Sequence, residues 1–166
     1  DALSPTGSRI AVKFHRLGRI SFRQTRRKRG YIREETKTKD PKTGETIVKV
    51  SYQKTIYYVY EQENKVSISF KFQLTSTETG AVMVSDYYVS YKSDYIKYAV
   101  FNGPTEKLVP GYWEKRDSNS PNDEVYDNES SISSLQNLLN AKRELISVNS
   151  LIMSAVDELA NKALIK

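Results

Sequence analysis

The residues able to do chemistry in this chain are few. Among 166 residues there is one histidine, His15, and no cysteine, which removes disulfides, thiolate nucleophiles and cysteine-ligated zinc. Any histidine relay would have to be built on that one ring. The seven glycines form neither a G-x-x-x-x-G-K nor a G-x-G-x-x-G spacing, so no loop is shaped to cradle a nucleotide phosphate. The acidic pairs Glu34-Glu35 and Asp123-Glu124 lack the glycine-punctuated spacing of a calcium loop and read as solvated acids. No pair of carboxylates stands out for glycoside hydrolysis, and the Asn128-Glu129-Ser130 sequon is a common triplet. Catalysis, metal binding and cofactors are therefore not expected.

Binding chemistry is better represented. Residues 9–33 hold Arg9, Lys13, Arg16, Arg19, Arg23, Arg26, Arg27, Lys28, Arg29 and Arg33 without one Asp or Glu. Of 26 Lys and Arg, 16 lie outside this block against 20 acids, so the rest of the chain carries −4. Arginine predominates, which favours planar anion contacts. Arg23, Arg26, Arg27, Lys28, Arg29 and Arg33 are the candidate anion-binding residues, for the phosphate of nucleic acid, anionic lipid or a phosphate-bearing glycolipid. The plainer reading is a hairpin tip whose charges are solvated. The second resource is aromatic: 12 Tyr, 5 Phe and 1 Trp. Tyrosines pair an apolar body with a polar tip and suit sheet surfaces and interfaces. Tyr87, Tyr91, Tyr95, Tyr98, Tyr112 and Trp113 are the candidate protein interface, with ordinary sheet packing as the plainer alternative.

These groups must be positioned by strands first and helices last. Ile10, Val12 and Phe14 alternate with Arg9, Ala11 and Lys13, and Ile20 and Phe22 resume the pattern after Leu17-Gly18. This predicts two short strands around a turn, with a solvated His15 beside it. Residues 31–37 lead as a strand into residues 39–45, where Asp40-Pro41 and Thr43-Gly44 make a surface turn. Val48, Val50, Tyr52, Ile56, Tyr58 and Tyr60 then define a half-buried strand ending at a polar turn, residues 61–64. Val66, Ile68, Phe70, Phe72 and Leu74 alternate with Lys65, Ser67, Ser69, Lys71 and Gln73, the strongest strand signal in the chain. The Thr79-Gly80 turn returns residues 81–89 beside it. Residues 102–131 read as a long loop pinned by Tyr112 and Trp113.

From Ser130 the period becomes helical. With Ser130 or Ser131 as the cap, Leu135, Leu138, Leu139, Lys142 and Leu145 share one face, continued by Val148, Ile152, Ala155, Val156, Leu159 and Ala163. This is one kinked helix, or two with a break at residues 147–150. The expected fold is α+β: an antiparallel β-sheet of long hairpins with a C-terminal amphipathic helix or helix pair packed on one face. No boundary stands out, so residues 1–166 read as a single domain. Its parts are a basic N-terminal segment (1–33), hairpins (34–101), the loop (102–131) and the helices (132–166).

The segment KVSISFKFQLTSTETGAVMVS, residues 65–85, and the terminal helix SLIMSAVDELANKAL resemble the periplasmic domain of curli-secretion-type and related envelope-assembly bacterial lipoproteins. The resemblance covers about 35 of the 166 residues, and Gly30-Tyr31-Ile32 fits the start of the strand before the hairpin. It implies a non-enzymatic scaffold or assembly component of the cell envelope, periplasmic or associated with the outer membrane. Its partners would be other envelope proteins or copies of itself. The lipidated cysteine of that group is absent; the chain begins at Asp1, so an anchor or signal would belong to a segment upstream. Pore-forming members insert hairpins into the membrane. Residues 87–101 match by position, but Lys92, Asp94 and Lys97 would cost about 2–4 kcal/mol each at the lipid midplane, so pore formation is not expected. The alternative function is a basic anion-binding module. Nucleic acid is its weaker form, because aromatics and cations lie in different segments and no RNP-type sequence is present.

Overall fold

The computed structural model describes residues 7–164, apart from the side chains at positions 8, 10–12, 14, 15, 163 and 164. The alternation at Ile10, Val12 and Phe14, the surroundings of His15 and the packing of Ala163 lie outside the described residues. The fold is α+β, as the patterning predicts. Three long strands come first, β1 (Ser8–Lys39), β2 (Thr46–Ser76) and β3 (Val82–Val100). A 3-10 turn (Thr105–Lys107), β4 (Leu108–Tyr112) and β5 (Glu124–Val125) follow, then α1 (Glu129–Leu139) and α2 (Val148–Leu164). The sheet order is β3-β2-β1-β4-β5. Both hairpin turns form where glycine permits positive φ: Gly44 and Gly80 each have φ 70°, and each amide donates back four residues, to Asp40 O at 2.8 Å and Ser76 O at 3.0 Å.

The chain packs as two compact units. One takes Arg23–Gln62 and Ile96–Glu144; its core joins Tyr57 and Val59 of β2, Ala99 of β3 and Leu108 of β4 to Leu135 and Leu139 of α1. Asn128 caps α1, its Oδ1 accepting from the Ser131 amide at 2.9 Å. The other unit takes β1 up to Phe22, Glu63–Tyr95 and the chain from Leu145 onward. Here Val66, Ile68 and Phe70 of β2 meet Leu151, Ala155 and Leu159 of α2. Each fully buried leucine contributes about 1.5–3 kcal/mol of transfer free energy. Glu158 on the rim of α2 accepts from Ser90 at 3.1 Å and pairs with Lys92 at 2.6 Å and Lys162 at 2.5 Å. The Lys162, Lys92 and Ser90 hydrogen bonds hold its carboxyl down to about 2.

Several local expectations are corrected. Leu17-Gly18 is no turn, because β1 runs through it. Gly18 has no positive φ; a Cβ there would stand 3.6 Å from the Ser67 side chain, so this glycine lies within paired strand. The basic run Arg26-Arg27-Lys28-Arg29 is therefore mid-strand rather than a hairpin tip. Residues 61–64 form no turn either, since β2 is continuous. Their polar groups are used sideways: Glu61 pairs with Lys97 at 3.0 Å, Gln62 donates to Tyr98 Oη at 3.4 Å, and Asn64 accepts from Ser21 at 3.0 Å. In the first half of β2 the buried parity is odd, Tyr57 and Val59, while Val48, Val50, Tyr52 and Tyr58 are exposed, because α1 covers the odd positions. Residues 102–131 hold β4 and β5 rather than one loop. Of the two helical readings the pair is found, but its break spans residues 140–147 rather than 147–150, which leaves Lys142 and Leu145 outside both helices, and the cap is Asn128 rather than Ser130 or Ser131.

Candidate partner-binding site

The site arises where one strand leaves another. β4 pairs with β1 over three positions, Gly30↔Pro110, Tyr31↔Val109 and Ile32↔Leu108. It then pairs with β5 through Gly111↔Val125 and Tyr112↔Glu124. On that side of β1, residues 23–29 have no neighbouring strand among the described residues. At the fork lies a recess of about 550 Å3. Arg27, Lys28 and Arg29 line it from β1, and Pro110, Gly111 and Tyr112 from β4. Tyr57, Trp113 and Tyr126 complete the wall.

Close approach builds the fork. A Cβ on Gly30 would stand 2.8 Å from Val109 O, and one on Gly111 2.5 Å from both Glu124 O and the Tyr31 ring, so only glycine lets these strands meet. Tyr31 donates its hydroxyl to Tyr112 O at 2.9 Å. Trp113, 4% exposed, donates its indole N–H to Gly30 O at 3.1 Å. The Arg29 guanidinium then lies over two rings, 5.1 Å from the Tyr112 centroid and 5.2 Å from that of Trp113, a cation–π arrangement that holds the fork of donors in place.

The loop behind Trp113 is fastened by Lys54. Its Nζ donates to Lys115 O at 2.9 Å, Ser118 O at 2.6 Å and Asp123 Oδ2 at 2.5 Å. Asp123 also accepts from the Glu114 and Ser120 amides, each at 3.0 Å. The Lys54 hydrogen bond, followed by that of the Ser120 amide, lowers the Asp123 carboxyl to about 2. Hydrogen bonds from Asn122 and Ser120 hold the Glu114 carboxyl below its usual range, and the bond from Lys97 does so for Glu61. These are the carboxylates that feel Arg29 and the pair Arg26 and Lys28 respectively. Arg27, Lys28 and Arg29 themselves enter no ion pair among the described residues. Burial raises the Tyr57 and Tyr31 phenols, and donation to Glu124 at 3.0 Å raises that of Tyr126. The recess thus offers guanidinium donors beside ring faces.

The sequence-derived candidates separate in space. Arg27, Lys28 and Arg29 meet Tyr112 and Trp113 here. Arg23 and Arg26 continue along the same exposed strand, Arg26 donating to Gln24 at 3.0 Å. Arg33 is committed elsewhere, to Glu35 at 2.5 Å and Asp127 at 3.1 Å. Tyr98 stacks on Tyr60 at 5.1 Å and is half-buried. Tyr87, Tyr91 and Tyr95 lie exposed on β3 in the other unit. Sequence reasoning missed Tyr57, Tyr126 and the Lys54–Asp123 clamp. Pro110-Gly111 beside Tyr112-Trp113 was the available signal for a strand making a close approach. No protein-family model, curated protein or solved structure matches this chain.

Proposed function

We propose that this chain is a non-enzymatic assembly component of the bacterial cell envelope, periplasmic or outer-membrane-associated, that works by holding partner proteins. The observation that carries the binding role is the gathering of Arg27, Arg29, Tyr112, Trp113 and Tyr126 around one recess, since Arg, Tyr and Trp are the residue types that dominate interface energetics. The envelope setting is supported by the likeness of residues 65–85 and the terminal helix to envelope-assembly lipoproteins. The test is crosslinked capture of the tagged protein from its native host, with and without nuclease, read by mass spectrometry. Specific envelope proteins recovered by the parent chain, insensitive to nuclease and lost with Arg27→Ser/Arg29→Ser, support the reading. Recovery that is unchanged in this variant overturns it.

A second reading, an anion-binding module for nucleic acid or a phosphate-bearing glycolipid, is favoured by the acid-free run of cations along β1. Nuclease-sensitive recovery of nucleic-acid-associated proteins would put it first.

A further inference from the structure

We propose that the open edge of β1 at residues 23–29 receives an extended acidic segment of a partner protein as an added β-strand, with the recess at the fork taking the side chain at the strand's end. The inference rests on the protein-partner reading above and names the chemistry of that partner.

Three observations converge on it. The first is the unfilled place in the sheet. β4 occupies the position beside β1 for three residues and then turns away to β5, leaving residues 23–29 with a strand on one side and none on the other among the described residues. Backbone N–H and C=O groups along such an edge are a template for a further strand. The second is charge. Side chains alternate across a strand, so Arg23, Arg27 and Arg29 fall on one face and Arg26 and Lys28 on the other. A strand added at this edge would meet cations above and below it, which suits carboxylates on both of its own faces. Residues 21–29 are all exposed, and the carboxylates that feel Arg29, Arg26 and Lys28 are already held by Asn122, Ser120 and Lys97.

The third is the end-stop. Trp113 and Tyr112, with Arg29 across them, close the open edge at a recess of about 550 Å3, which lies in the range that binds small groups, about 300–1,000 Å3. A phosphate polymer would use the cations but not the alternating donors and acceptors of the edge. A peptide strand uses both. Natural proteins also place cations on free edges to prevent pairing, and that is the outcome against which the inference is tested.

The probe is a synthetic peptide of Glu-Glu-Val repeats, which places carboxylates on both faces of an extended strand, added to the full chain. Its controls are the same peptide N-methylated at alternate residues, a lysine-for-glutamate version, and polyphosphate. Binding is followed by Trp113 fluorescence, the only tryptophan in the chain, and by amide hydrogen exchange. The expected result is saturable binding of the acidic peptide with slowed exchange at residues 23–29, lost on N-methylation. Arg27→Ser/Arg29→Ser should weaken it by about tenfold, as expected for two partly exposed charge pairs. Arg27→Lys/Arg29→Lys should retain most of it, with a single cooperative melting transition within about 4 °C of the parent's in both variants confirming the fold. Equal binding of the N-methylated peptide, protection at another strand, tighter binding of polyphosphate than of peptide, or no binding at all would each overturn the inference. If envelope partners are still captured in an Arg27- and Arg29-dependent way while the peptide fails, the strand-addition inference falls and the assembly reading stands.

Discussion

The two units use one plan, strands under a helix, and finish the second face of the sheet differently. In the unit built on α1, odd positions of β2, Tyr57 and Val59, lie beneath the helix. Some even positions are fastened by the chain after β4: Lys54 holds Lys115, Ser118 and Asp123, and Tyr52, still 38% exposed, donates to Asp127. In the unit built on α2, Val66, Ile68 and Phe70 lie beneath the helix. There Tyr87, Tyr91 and Tyr95 of β3 stay 53%, 75% and 52% exposed. A polar loop thus fastens part of the second face in one unit, while the tyrosines on the other unit's second face stay more exposed. The recess at the fork is the intermediate case, where the covering loop stops and leaves its last rings facing the cations of β1.

The largest effects belong to the helices. Leu159→Ala and Leu135→Ala, each emptying a buried site, should destabilise the protein by about 2–5 kcal/mol in urea denaturation followed by circular dichroism. A loss under about 1 kcal/mol for either would mean that its helix does not seal the core beneath it. Next in size is Gly111→Ala, where the new Cβ meets backbone and ring at 2.5 Å. Overpacking of this kind costs about 1–3 kcal/mol, and a neutral result in the same titration would show that β4 does not approach β1 this closely.

Acid sharpens the contrast between the two clamps. Glu158 and Asp123 both sit at about 2, below their ordinary 4.5 and 3.8. A lowered carboxyl stabilises the fold fully above its unfolded value and loses that contribution as pH falls towards its folded one. The melting temperature should therefore fall between about pH 4.5 and about pH 2, and Glu158→Gln and Asp123→Asn should each flatten part of that fall. A profile identical to the parent's in both variants would remove these carboxylates from the acid response. Smaller still is Arg29→Ser, which gives up its cation–π contacts, about 0.5–1 kcal/mol at an exposed site. Smallest is Tyr91→Ser, under about 0.5 kcal/mol by thermal melting; a larger loss would make that exposed face part of the fold.

The parts of this architecture that depend on neighbours in sequence were legible. Thr43-Gly44 and Thr79-Gly80 announced both long hairpins, the alternation at residues 65–74 gave the correct buried side, and the change of period at Ser130 announced the helices. Where local chemistry was ambiguous, tertiary contacts decided. Leu17-Gly18 has the composition of a turn but packs beside Ser67, and Glu61, Gln62 and Asn64 look like a turn but reach sideways to Lys97, Tyr98 and Ser21. The odd burial of Tyr57 and Val59 could not be read from β2, because its even positions are apolar as well and only the placement of α1 selects between them. The two halves of the candidate site were each visible, Arg26 to Arg29 as a charge run and Tyr112-Trp113 as an aromatic pair. Their meeting depends on Gly30 pairing with Pro110, a contact across 80 positions that no local pattern encodes.

The turn between β1 and β2 closes a ribbon in which residues 34–39 and 41–53 are all exposed. Its base is fastened where Arg33 and Tyr52 meet Asp127. A two-stranded ribbon without buried side chains is marginal by itself, and exposed tips of this composition are where proteases cut first. Lys37, Lys39, Lys42 and Lys49 all lie on it, so trypsin should nick the chain here before it opens either core, leaving two fragments that remain associated in gel filtration. The same property makes residues 36–49 the natural place to insert a tag or to shorten the chain without disturbing the fork.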